Sequence, residues 1–196
     1  MTGAPQDEPI EVAQTRAWVD CMVIGLNLCP FARAPQVKGR IRYALCKATQ
    51  PDALRAALVE ELIQLASTPI DTVETTLLIH PRVLTDFAQY NAFLSQAESA
   101  LDELGLVGSI QIASFHPHYR FANTSARDVT NATNRSPYPM LHLIREASID
   151  RALAAFPNAE TIYMTNLATM RRLGHDGIAA LQAQCNRSQP NRSQPD

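Results

Sequence analysis

Nothing in the 196 residues approaches the roughly 20 consecutive apolar positions that a membrane-crossing helix needs. The opening MTGAPQDEPIEV is polar and acidic and holds no apolar run of the secretory type, so no cleaved leader is expected there. Lys and Arg are scattered and the net charge is −2, which gives no electrostatic footprint for nucleic acid. Seven glycines are too few for a phosphate cradle, and neither GxGxxG nor GxxxxGK[ST] occurs. The four cysteines Cys21, Cys29, Cys46 and Cys185 form no CxxC pair. They read as free thiols of a soluble, cytoplasmic protein.

What is there suits a single core. Apolar residues make up 46% of the chain, enough for one sizeable α/β domain and tight for two. Residues 1–8 read as a loose tail, 9–175 as the domain, and 176–196 as a polar, mostly disordered tail in which NRSQP occurs twice.

Apolar spacing predicts a helix from Pro9 to about Leu26, with the loop LCPFARAP after it. Strands are expected at 41–49, 72–80 and 109–116, and helices at 51–67 and roughly 84–104. From His118 to Ser136 no pattern appears, and a long irregular connection of this kind is more often functional or mobile. Ser136 and Pro137 then resemble an N-cap and first helical position, so a helix is expected to about Ala155. TIYMTN (161–166) reads as a fourth short strand and LATMRRLG (167–174) as a terminal helix. This alternation predicts β-α units around a small, largely parallel sheet flanked by helices, with a ferredoxin-like α+β sandwich as the alternative.

Two strands end alike, LIH-P and SFH-P. If they are parallel, His80 and His116 share the carboxyl edge of the sheet, where open α/β sheets bind ligands. His118 lies two residues on. Cys29, in a loop, is the candidate nucleophile or redox thiol if the fold brings a histidine to it. His116 is the candidate general base or acid, with His80 and His118 orienting the ligand. Asn134 and Arg135, ahead of the expected helix, would hold an anion at its amide-rich start. His142 would face the site from that helix, and Tyr138 would wall it. Against this, each histidine is also an ordinary loop residue, Cys29 a plain buried thiol, and Arg135 a pin for the long loop. Cys21 and Cys46 read as core thiols.

GLNLCPFA (25–32), SFHPHYRF (114–121), NRSPYPMLHLIREASIDRAL (134–153) and NLATMRRLG (166–174) occur in this order. Together they resemble the bacterial domain-of-unknown-function family 1415, over about residues 12–175. The resemblance implies no activity. The leading expectation is thus a small-molecule enzyme acting on an anionic metabolite. One alternative is a Zn or Fe protein with ligands among His80, His116, His118 and Cys29. Another is a non-catalytic module that binds a small anion. Cofactor and oligomeric state are left open by the sequence.

Overall fold

A computed structural model describes residues 8–155 and 160–187. Helix α1 spans Ile10–Trp18, and the chain then passes into a π-helical segment, Val19–Ile24. The Gly25 amide donates to Asp20 O at 3.0 Å, five residues back. An added Cβ at Gly25 would collide with the carbonyl of Cys21, so the wide turn closes only on glycine. Asn27, at φ +54°, ends the run, and a short helix α2 (Arg33–Val37) follows.

The next five elements are β1 (Ile41–Leu45), α3 (Pro51–Ser67), β2 (Thr75–Ile79), α4 (Phe87–Glu103) and β3 (Ile110–Phe115). Pro51 stands in the first turn of α3, whose Leu54, Leu58, Leu62 and Leu65 form one buried stripe. The last carbonyls of that helix, Leu65 O and Thr68 O, accept from the Arg145 guanidinium. Asp86 caps α4 by accepting from Gln89 N at 3.0 Å. A 3-10 turn, Val129–Asn134, interrupts the long connection to β4 (Met140–Arg145). Helices α5 (Glu146–Ala155) and α6 (Glu160–Arg187) complete the described chain, and α6 breaks at Gly174, where φ is +63°.

The sheet order is β1-β2-β4-β3. β1 and β2 are parallel, while β4 runs antiparallel to both β2 and β3. The expectation of a largely parallel sheet is therefore corrected: β4 enters between β2 and β3, and most pairings are antiparallel. Helices cover both faces, so the ferredoxin-like alternative does not describe it either. On one face α3 and α4 pack with Leu78, Leu141 and Leu143. On the other, α1, the π segment and α6 pack with Leu77, Met140 and Phe115.

Three further expectations fail here. The stretch after Ser136 is not a helix start: Ser136 Oγ donates to Tyr138 O at 2.6 Å, and the chain extends into β4 before α5 begins. Residues 161–166 are not a strand but part of α6, with Tyr163 and Met164 exposed. Residues 176–187 continue that helix, with Ile178 and Cys185 buried, where the sequence suggested a polar tail. The terminal expectations for 1–7 and 188–196 lie outside the described residues.

Candidate functional site

β2 and β3 run the same way because each is antiparallel to β4 between them. His80 and His116 therefore do end up at one edge. Side chains alternate along a strand, and both histidines fall on the α3–α4 face. There they meet an aromatic group from α4. His80 stacks on Tyr90 with centroids 5.8 Å apart, and His116 lies 5.0 Å from Tyr90 and 5.4 Å from Phe87.

Three of their four ring nitrogens are spent on the backbone. His80 Nδ1 donates to Val83 O at 3.1 Å, and His116 Nε2 donates to Leu84 O at 3.2 Å. His116 Nδ1 accepts from His118 N at 3.0 Å, which fixes its neutral tautomer. The two rings thus clamp the β2–α4 loop, where Leu84 sits at a strained φ of +55°. Burial pushes His80 down to about 4 and His116 below its ordinary value. His80 Nε2 is left without a partner among the described residues. His118 is exposed.

The anion site expected around residue 135 is not formed. No helix begins there, so the amide-rich helix start is missing. Arg135 donates from Nε to Tyr119 O at 3.2 Å and from a terminal nitrogen to Ala126 O at 2.8 Å, which pins the long loop. Asn134 Nδ2 donates to Ser114 O at 3.1 Å, closing the end of β3. Buried Asn131 holds the same loop through Phe121 N, Thr124 Oγ1 and Ser125 O. The connection is irregular but tied down. Tyr138 donates to Gln14 Oε1 on α1.

Cys29 and His142 lie on the opposite face of the sheet, in a cavity of about 470 Å³. Its walls come from the π segment (Val19, Val23), the 29–35 loop, the sheet (Leu77, Ala113, Phe115) and α5 (Ile149, Ala152), with Trp18 among them. The lining is mostly apolar, as small-molecule sites are. The sheet therefore divides the four residues proposed as one catalytic or metal-binding set. Cys29 cannot complete a tetrahedron with His80 and His116. Among the described residues no group of three or more His, Cys, Asp or Glu is placed to hold a metal ion.

Within this cavity the polar groups are few. His142 stands on central strand β4, not on a helix, and pairs in register with Leu77 and Ala113. Thr75 Oγ1 spends its proton on Leu143 O at 2.6 Å. It must then accept from His142 Nε2, 2.7 Å away. That assigns the Nε2–H tautomer and leaves Nδ1 with a lone pair and no partner among the described residues. Burial pushes His142 down to about 4, so the ring is neutral at pH 7. Burial pushes the Cys29 thiol up, opposed by hydrogen bonds from the amides of Phe31 and Ala32. At the rim Arg151 pairs with Glu74 at 3.4 Å.

Sequence reasoning missed Thr75, Trp18 and the α5 wall. Alternation in TTLLI places Thr75 and Leu77 on one face, but only the register with β4 puts Thr75 against His142.

A family model described as "Protein of unknown function (DUF1415)" matches residues 11–180. No curated protein and no solved structure matches the chain. No helix among the described residues is long and apolar enough to cross a membrane.

Proposed function

The chain belongs to DUF1415, a family described without an activity, and we propose that its cavity binds a small, mainly apolar molecule that donates one hydrogen bond to His142 Nδ1. The observation that carries this reading is the Thr75–His142 pair, which holds an unpaired acceptor against a mostly apolar wall. His142 is half-buried and lines the cavity, so a ligand donor can pair with Nδ1 there. The binding role is favoured over proton abstraction, because a histidine held near 4 is a weak base at pH 7. An anionic group on the ligand finds support only at the rim, where Arg151 is 60% exposed but shares its charge with Glu74.

Indole and phenol are suitable probes. Each is expected to raise the melting temperature by mass action and to perturb the His142 ring resonances. Ala113→Phe, which fills the cavity from β3, should abolish both effects while leaving the circular dichroism spectrum intact. Absence of any stabilisation by apolar probes at millimolar concentration in the unmodified protein would overturn the reading.

A second reading treats the protein as an enzyme with Cys29 as nucleophile. The amides of Phe31 and Ala32 favour it, since they would stabilise a thiolate once formed. Burial outweighs them in the free protein, so Cys29 is expected to react with iodoacetamide more slowly than free cysteine at pH 7. Peptide mapping after timed labelling measures this. Faster labelling would mean a resting thiolate and would favour the enzyme.

A further inference from the structure

The π segment also carries Cys21, which the cavity does not use. α6 presents Ile178, Leu181 and Cys185 along one stripe, and these pack on the π segment together with Met22. Cys185 is buried and Cys21 half-buried, both within this one apolar cluster where α6 meets the π segment, and the neighbouring Cys21 raises the Cys185 thiol. Cys29 sits in the cavity and Cys46 in the core of the other sheet face, so neither has such a counterpart. We propose that Cys21 and Cys185 are a reversible disulfide site that staples the end of α6 onto the π-helical wall.

The oxidant is a small-molecule disulfide of the glutathione type. Cys21, the more accessible sulfur, attacks it as thiolate: a Cys21–glutathione bond forms, the oxidant's S–S bond breaks and one glutathione thiolate leaves. Cys185 then gives its proton to solvent and attacks Cys21 Sγ, expelling the second glutathione thiolate. Two cysteines are oxidised and one oxidised glutathione becomes two reduced molecules. Burial and the neighbouring Cys21 push the Cys185 thiol up to about 12, so the second step is the slower. The cross-link joins residues far apart in the sequence, where loop-closure constraint on the unfolded chain is largest. It fastens α6 to the segment whose Val19 and Val23 line the cavity.

The test uses the full chain in glutathione redox buffers, quenched with acid and mapped as unreduced peptides by mass spectrometry. The expected product is a Cys21–Cys185 peptide lighter by two hydrogens. With it the melting temperature should rise on the order of 5 °C, reversibly with dithiothreitol. Cys21→Ala should show neither. Accumulation of a lasting Cys21–glutathione adduct, pairing through Cys29, or a dimer linked through Cys21 would each overturn the proposal. The mapping is read on the unmodified protein, so a variant that folds poorly does not decide it. The outcome is also independent of what the cavity binds.

Discussion

Lowering the pH from 7 to 4 is expected to remove about 3 kcal/mol of stability through His80 alone. His80 is wholly buried, and its folded pKa is lowered from 6.5 to about 4 by desolvation. Between those values the unfolded chain carries a proton that the folded chain does not. Stability therefore rises with pH across this window. The contribution is complete above 6.5 and is lost as the pH falls to 4. His142, also held near 4, and His116, lowered by burial, act in the same direction. A domain holds roughly 5–15 kcal/mol in all, so the urea midpoint should drop steeply between pH 6.5 and 4. A midpoint unchanged over that interval would mean that these rings titrate normally and are hydrated.

Tyr90→Phe is expected to cost roughly 2–4 kcal/mol, although it removes one oxygen from the molecule. The Tyr90 hydroxyl donates to Met140 O at 2.9 Å and accepts from Phe115 N at 3.0 Å. It bridges the ends of β3 and β4 where both enter the histidine edge. Without it, the buried Met140 carbonyl and the half-buried Phe115 amide lose this partner together. Urea unfolding of the variant measures the loss. Because the same ring stacks beside His80 and His116, amide exchange at Phe115 should accelerate as well. A cost under about 0.5 kcal/mol would show that water replaces the hydroxyl.

Most of the regular core was legible in the sequence. The leucine spacing of α3, its first-turn proline and the apolar runs before His80 and His116 identified those elements correctly. The shared edge of the two histidines was also legible: the helix between their strands makes them run the same way. The strand order was not, because β4 lies between them. That strand is what could not be read. MLHLIR is a short apolar run flanked by good helix formers, and periodicity does not separate a strand buried on both faces from a helix in so few residues. TIYMTN erred the other way: its β-branched and aromatic residues suit a strand, but tertiary context overrides that preference and the segment lies in α6. The division of Cys29 from His80 and His116 follows from strand parity and helix placement. Both are properties of the assembled sheet. Arg135 was legible as a pin for the long loop; that its partners are the carbonyls of Tyr119 and Ala126 appears only once the loop is folded.

The wide turn at Val19–Ile24 has the arithmetic of an insertion. A ring closed five residues back holds one residue more than the α-helical ring. Shortening the chain by a single residue there would return an ordinary helix and rotate everything on one side of the cut by about 100°. Val19 and Val23 now line the cavity together, four residues apart across the wide turn; such a deletion would set them three apart in a narrower turn. Chain length at this one place therefore bears on the shape of the pocket wall. Relatives that differ there by a residue would be expected to accept ligands of a different size.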